Sequence, residues 1–427
     1  MTTVVISPSN VASFPEGGGH FWVYMQYVQA LKRLGCDVYW LEHVQSSGDA
    51  RRDEEALRVF LQRMRDFGLA GKVLIVEQGE KFPRGVDSSG QLTTHQSAES
   101  VCARADLLLN FWYAIDAELL SRFRKTALVD IDPGLLQFWI SEGQIEVARF
   151  DTYFSTGETV GSKEALFPDC GIVWNRIRPV VSLSDWPVVY DDNAQVLTTV
   201  SGWWGDEWIS NGRDVLYQNN KRVSFMEFAE LAARTEQSLE LALALGIKHS
   251  QDEYVPEDSN ETASAEYQGD AKDRSILESY GWRIKLASEV AGSPESYRSY
   301  VQQSRGEFSC AKPSCMRFQN AWVSDRSLCY LASGKPTIVQ DTGPSQILPR
   351  AEGMFRFRTI DEALAAIDAM NSDYALHCEA ARALADTYFD AEKGLEALLN
   401  KALATSTSDP KQAFDRSAVA GVTALAT

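Results

Sequence analysis

The sequence is short of positive charge. Lys and Arg total 41 against 59 Asp and Glu, a formal net charge of −18. Nucleic acids and anionic membranes both require a basic footprint, so neither is expected as the main partner, although a local basic pocket for a phosphate remains compatible. Long apolar runs are also missing. No stretch approaches the ~20 residues that a bilayer-spanning helix needs, so no transmembrane segment is expected. The first basic residue is Lys32, so the charged segment that opens a signal peptide is absent. These features predict a cytoplasmic protein. Cysteine is sparse and unpatterned: there are seven, an odd number, with no Cys-x-x-Cys. Cys310 and Cys315 are the nearest pair, and no His or further Cys is spaced to complete a zinc site. Free thiols in a reducing compartment and no bound metal are expected.

What is present is a 427-residue chain with 44% hydrophobic residues, enough for two or three domains. Strand-like and helix-like stretches alternate, which predicts α/β architecture. Val4-Val5-Ile6 reads as a short buried strand, followed by a loop with Gly17-Gly18-Gly19. Phe21, Tyr24, Met25, Val28 and Leu31 have helical spacing, with Gly35 at the helix end, and Val38-Tyr39-Trp40-Leu41 is the next strand. That unit is a parallel βαβ crossover. Further strands are expected at 73–76, 107–110 and 127–131, and helices at 52–67 and 113–124. A second series starts near 195, with strands at 196–200, 239–244, 307–311 and 337–340 and helices at 224–234, 294–304 and 325–333. Residues 374–404 read as helical.

Turn-rich Ser182-Leu183-Ser184-Asp185-Trp186-Pro187 marks a boundary. The expected division is 1–185, 186–400 and a weakly determined tail, 401–427, which either packs back on the N-terminal half or frays. Residues 252–274 hold eight acids and two bases and read as a solvated insertion. Two Rossmann-like halves facing each other across a cleft would each place a ligand at the carboxyl ends of their strands.

The densest cluster runs from Trp322 to Lys335-Pro336 and on to Asp341-Thr342-Gly343. Ser324 or Asp325 can cap the helix, whose first turn, with Ser327, presents unpaired N–H groups. Arg326 adds a cation and a bidentate fork, a combination suited to a diphosphate. A cation at a helix N-terminus opposes the helix dipole, so an anionic partner would account for it.

This stretch resembles the nucleotide-sugar signature of glycosyltransferases with the GT-B fold: a small helix starting near the diphosphate, a Gly-x-Pro turn, a strand and a Gly loop. The N-terminal stretch resembles them too. In some members the first loop carries a His with a Gly 15 residues later, as His20 and Gly35 do here; in others that loop is a Gly-Gly pair approaching the donor, which Gly18 and Gly19 match. Ser-Arg-Gly-Glu-Phe at 304–308 and Ser-Asp-Arg at 324–326 are most similar to poorly characterised bacterial members. One departure is Cys329, which stands where these families usually carry the Glu that binds the donor ribose. Either ribose binding comes from elsewhere or the register differs.

The resemblance implies transfer of a sugar from a nucleoside-diphosphate sugar to an unidentified acceptor, with the donor on the C-terminal half, the acceptor on the N-terminal half and no metal or cofactor. On that basis His20 is the candidate base and Asp132 its catalytic companion. Gly18, Gly19, Lys312, Ser324, Asp325, Arg326, Ser327, Asp341, Thr342 and Gly343 are candidate donor ligands. Trp203 and Trp204, crowded with Asp206 and Trp208, are a candidate stacking platform for sugar or base. Each also has a structural reading: His20 as a helix-start residue, Asp325 and Asp341 as caps, Lys312 as a solvated cation, the Trp cluster as packing, and Asp130 and Asp132 as turn caps. His43, His95, His249 and His377 lack partner spacing and read as structural. A nucleotide-sugar 2-epimerase and a non-catalytic sugar- or nucleotide-binding module are the alternatives.

Overall fold

Short runs of aliphatic residues form the strands of two sheets, and capping chemistry sets the helices between them. The structure is a computed structural model that describes residues 1–205, 207–210, 215–245, 260–348 and 352–404, with side chains for all of these except 207–210, 215–216 and 260–269. The chain divides into two units, one comprising Met1–Pro15, Val23–Ser182 and residues from Asp390 on, the other Glu16–Trp22 and Leu183–Phe389.

In the first unit, to which α1 contributes from Val23 on, the order is β1 (Thr3–Ser7), α1 (Gly18–Arg33), β2 (Asp37–Val44), α2 (Ala50–Asp66), β3 (Val73–Glu77), β4 (Arg84–Val86), α3 (His95–Arg104), β5 (Leu107–Asn110), α4 (Ala117–Leu120), β6 (Thr126–Asp130), α5 (Leu135–Ser141), β7 (Thr152–Ser155) and β8 (Trp174–Arg176). The sheet order is β4-β3-β2-β1-β5-β6-β7-β8, parallel except for β3 with β4. Every residue of β5 and β6 is buried, as expected of central parallel strands covered on both faces. Gly35, at φ 79°, ends α1 while Cys36 N–H donates to Leu31 O, a left-handed stop that glycine makes without a steric penalty. The helix expected over 113–124 shrinks to α4. The Asp116 side chain accepts from Glu118 and Leu119 N–H, which fixes the helix start there.

The second unit contains β9 (Val196–Gly202), the antiparallel hairpin β10 (Glu207–Ser210) and β11 (Val215–Gln218), α6 (Lys221–Glu227), β12 (Ser238–Ala244), α7 (Asn260–Ser279), β13 (Arg283–Leu286), α8 (Ala287–Ala291), α9 (Pro294–Gln303), β14 (Gly306–Ser309), α10 (Pro313–Phe318), α11 (Asp325–Ala332), β15 (Thr337–Gln340), β16 (Met354–Phe357), α12 (Ile360–Ser372) and α13 (Tyr374–Leu384). Its six-stranded parallel sheet has the order β13-β12-β9-β14-β15-β16, the doubly wound arrangement of a nucleotide-binding fold. Trp203, Phe225, Phe308 and Phe357 are fully buried in its core, with Phe308 stacked on Phe357 at 5.1 Å between centroids. The helix expected over 224–234 begins earlier, at the Asn220 cap, and gives way to a 3₁₀ turn at Ala229–Arg234.

Two sequence expectations change here. Of the acidic stretch, 252–259 lies outside the described residues, as do Asp206 and His249. The remainder falls in α7, where Asp270 and Asp273 are buried rather than solvated. The last helix, α14 (Ala391–Ala404), belongs to the first unit, not to the 186–400 half. There Ala391 N–H donates to Val181 O, and Lys125 Nζ donates to Leu403 O. The tail from 405 lies outside the described residues. Among the described residues no helix is long and apolar enough to cross a membrane, and no group of His, Cys, Asp and Glu is arranged to hold a metal.

Candidate functional site: a cationic strand end in the second unit

In an open parallel sheet, ligands settle beyond the carboxyl ends of the strands at the point where strand order reverses. In the second unit that point lies between β9 and β14, which pair side by side as Gly306↔Leu197 and Glu307↔Thr198. Arg326, from the first turn of α11, spans it. Its Nε donates to Glu307 Oε1 at 2.7 Å, its Nη1 to Val200 O at 2.9 Å, and its Nη2 to the Ser309 hydroxyl. Arg326 and Glu307 are both buried. The guanidinium is therefore a brace that ties α11 to both strand ends, with three of its five N–H groups bound to protein, which gives Arg326 a structural role beside the one expected of it as a diphosphate ligand.

Two other cations stand beside it. Lys221 opens α6 behind the Asn220 cap, whose side chain accepts from Val223 N–H at 3.2 Å. Lys312 is the residue before α10. The two helix starts are tied together: Ser314 N–H donates to Asn219 Oδ1 at 3.0 Å, and Ser224 Oγ donates to Ala311 O at 2.6 Å. Neither ammonium makes a hydrogen bond or ion pair with a described residue. Burial lowers the Lys221 pKa from its ordinary value, and the like charges of Arg326 and Lys312 push the same way. Burial raises the Asp325 carboxyl, against the pull of Arg326, Lys221 and His20. Two cations at neighbouring helix N-termini, partly buried and without a hydrogen bond or ion pair among the described residues, have the chemistry that suits an anionic group. Sequence reading passed over Lys221. The argument applied to Arg326, a cation placed against the helix dipole, would have found it.

Other candidates fall into different places. Ser324 caps α11 by position, without a side-chain cap bond, and Ser327 is buried in its first turn. Asp341 accepts from Arg358 Nε at 2.9 Å, from Arg356 Nη1 at 3.4 Å and from Gly343 N–H at 3.2 Å. Thr342 Oγ1 donates to Trp322 O at 2.7 Å. Gly343, at φ 128°, lies so close to Gln319 that a Cβ would sit 2.5 Å from its carbonyl carbon. Together these residues hold the 319–323 loop, where Gln319 and Ala321 both take positive φ, a costly conformation for non-glycine residues. Asp341, Thr342 and Gly343 thus have a structural role in holding this loop, beside the one expected of them as donor ligands.

The two glycines that open α1, Gly18 and Gly19, are packing residues. A Cβ on Gly18 would lie 2.2 Å from Ser293 O, and one on Gly19 would lie 2.8 Å from the Tyr297 ring. Trp22 Nε1 donates to Pro294 O at 2.9 Å beside them. Their backbone is pressed against α8 and α9 rather than open to a phosphate. The tryptophan platform is corrected as well. Trp203 is fully buried, with Nε1 donating to Asp273 Oδ2 at 3.0 Å. Trp204 donates to Asp270 at 2.6 Å under the Arg222 guanidinium, 4.9 Å from its ring, and Arg222 pairs with Asp273 in turn. The pair anchors α7. The Trp208 side chain lies outside the described residues.

His20 belongs to the second unit, within electrostatic reach of Asp325. Asp132 belongs to the first unit. Its N–H donates to Asp130, whose buried carboxylate also accepts from Gln137 at 2.8 Å and Ser155 at 2.7 Å. Burial raises Asp130 to about 6.

No protein-family model and no curated protein sequence matches the chain. Solved structures do match. A sucrose-phosphate synthase from Thermosynechococcus elongatus aligns with TM-score 0.52 and 10% identity over 95% of this chain and 100% of its own. An Anabaena protein, HepE, solved with UDP and glucose, aligns with TM-score 0.52 and 9% identity over 94% and 100%. An α-glucosyltransferase solved with UDP and a 13-mer DNA aligns with TM-score 0.55 and 9% identity over 94% and 99%. At such identities the likeness is one of fold, and the chain has the two-unit, doubly wound α/β fold of the GT-B glycosyltransferases.

Proposed function

We propose that this protein transfers a sugar from a nucleoside-diphosphate sugar to a hydroxyl acceptor. The observation that carries the reading is the pair of cations, Lys221 and Lys312, without a hydrogen bond or ion pair among the described residues, at the β9/β14 strand ends. The UDP in the similar structures supports the same ligand class. In this reading the diphosphate lies against Lys221, Lys312 and the N–H groups that open α6 and α11, with Arg326 holding α11 in place. Preorganised positive charge stabilises the negative charge that grows on the departing diphosphate, so the reaction runs without a metal. His20 takes the acceptor's hydroxyl proton as the new O–C1 bond forms and the C1–O bond to the diphosphate breaks, leaving a free nucleoside diphosphate. Asp132, at the end of β6, is assigned to acceptor handling.

The test incubates the purified protein with a panel of nucleotide sugars and follows nucleoside diphosphate release. Slow release is expected in water, with His20→Ala lowering kcat by ~10²–10⁴-fold, the usual worth of general base catalysis. An isomerised donor sugar would make the protein an epimerase. Binding without turnover would make it a binding module.

A further inference from the structure

The first turn of α1 carries His20 and belongs to the second unit. The residues on either side of His20 are pinned there. A Cβ on Gly19 would meet the Tyr297 ring at 2.8 Å, and Trp22 donates from Nε1 to Pro294 O at 2.9 Å. Both partners lie at the start of α9. Tyr297 is buried, and its side chain hydrogen-bonds Cys329 of α11, whose sulfur donates to Asp325 O at 3.4 Å. Three contacts thus lead from the backbone beside His20 to the first residue of α11. This frame fixes where the imidazole and the Asp325 carboxylate stand, and the two lie within electrostatic reach of each other. Both side chains are partly buried, where water and salt screen a charge less than at the open surface.

The charges around the pair are mostly committed elsewhere. Arg326 is matched by Glu307 at 2.7 Å, and Arg298 lies over the Trp22 ring, 5.7 Å from its centroid. The Tyr300 and Tyr330 hydroxyls are bonded to Glu240 and Thr198. Glu16, Glu289 and Glu295, the other acids on the segments packed at His20, are exposed and therefore screened. Asp325 differs. Among the described residues its carboxylate forms no ion pair, and Arg326, Lys221 and His20 all favour its ionised form. It is the partly buried carboxylate of these segments that can answer a charge on His20. Asp132, the companion expected from the sequence, lies in the other unit.

We propose that Asp325, on the helix that opens at the cationic strand end, is the positioning residue of His20: its carboxylate matches the positive charge that the imidazole acquires on taking a proton. A carboxylate beside a base makes a neutral imidazole the better proton acceptor. The proton passes from the acceptor hydroxyl to the ring and then to water, and Asp325 stays ionised throughout. The consequence for transfer rests on the transferase reading above; the charge pairing does not. The same negative charge opposes an anion at Lys221, so Asp325 favours the base at some expense of nucleotide affinity. A donor ligand would act the other way.

The test is an NMR titration of the imidazole nitrogens in the full chain, with the His20 signal assigned by its loss in His20→Gln. Asp325→Asn should lower the His20 pKa by about half a pH unit or more, because the opposite charge that favours the imidazolium is gone. Asp325→Glu, which keeps the charge, should hold the wild-type value. Should the amide variant fail to fold, Asp325→Ser, small and uncharged, carries the same expectation. UDP should bind Asp325→Asn at least as tightly as the wild type. Its kcat should fall at least tenfold, with the acid limb of its pH profile moved to lower pH. A His20 pKa that neither uncharged variant moves, or UDP binding weakened by the loss of the carboxylate, would overturn the proposal. A His20 pKa that falls as expected in a protein that releases no nucleoside diphosphate would sink the transferase reading and leave the pairing standing.

Discussion

The two sheets share a topology at their centres and differ in what stands on it. In the second unit the strand-order reversal between β9 and β14 carries Lys221, Lys312 and a buried Arg326–Glu307 pair. In the first, the reversal between β1 and β5 carries Ser7, His43, Asn110 and Trp112, with no Lys or Arg on the adjoining strand ends. The backbone offers the same strand-order reversal twice, and the side chains set on it differ, cationic in the second unit and uncharged or aromatic in the first. Fold alone therefore specifies the ligand of neither strand end.

The contrast can be broken most forcefully at Arg326. Arg326→Ala would leave the fully buried Glu307 carboxylate without its counter-ion. Removing one partner of a buried pair costs about 3–5 kcal/mol, so calorimetry should show a large fall in the melting temperature of the second unit, with nucleotide binding lost as a consequence. An unchanged melting temperature with only nucleotide affinity reduced would return Arg326 to the ligand.

A smaller effect tests the neutral character of the first unit through pH. Burial raises Glu42 from its ordinary 4.5 to about 7, despite donors from Ala12 N–H at 2.8 Å and Trp40 Nε1 at 2.7 Å. The folded state holds this proton more tightly than the unfolded chain. Its stabilisation is thus complete below pH 4.5 and is lost as pH rises to about 7, by at most about 3 kcal/mol. Asp130 acts in the same direction up to about 6, while His43 acts oppositely, its contribution being lost as pH falls from 6.5 toward 4. Both cancel in a comparison of the wild type with Glu42→Gln. The stability difference between the two, from urea melts, should move against the wild type between pH 4.5 and 7. A difference that stays flat would contradict a buried, proton-holding Glu42.

The smallest expected effect separates packing from ligand binding at the glycine loop. Gly18→Ala would force a Cβ within 2.4 Å of the backbone oxygens of both Ser293 and Ala291. Overpacking of this kind costs about 1–3 kcal/mol. A lower melting temperature with UDP affinity intact is expected. Lost affinity at constant stability would mean that the loop serves the donor after all.

The strands were legible in the sequence wherever an apolar run was local and self-sufficient. Val4-Val5-Ile6 and 107–110 fall in β1 and β5, and Gly35 ends α1 with the positive φ that its position after the apolar stripe implied. What escaped was set by partners remote in the chain. Trp203 reads as a surface platform until Asp273, 70 residues later, takes its N–H. Asp341 reads as a sugar ligand until Arg356 and Arg358 close on it from β16 and the residue beyond. Arg326 reads as a free cation until Glu307 and Val200 converge on it from two strands. His43 looked isolated because Ser7 and Trp112 reach it only across neighbouring strands. The acidic stretch looked solvated because nothing near it in sequence shows that Asp270 and Asp273 meet tryptophan and arginine.

The central claim is that the second unit's strand end is an anion receptor made by Lys221 and Lys312. Its most direct test is a calorimetric titration of UDP and the other nucleoside diphosphates into the wild type and a Lys221→Ala/Lys312→Ala double variant. Each charge-assisted contact is worth on the order of 1.5–3 kcal/mol, so the double variant should bind at least about a hundredfold more weakly, at an unchanged melting temperature. Equal affinity in the two proteins, or no binding of any nucleoside diphosphate to the wild type, would contradict the account.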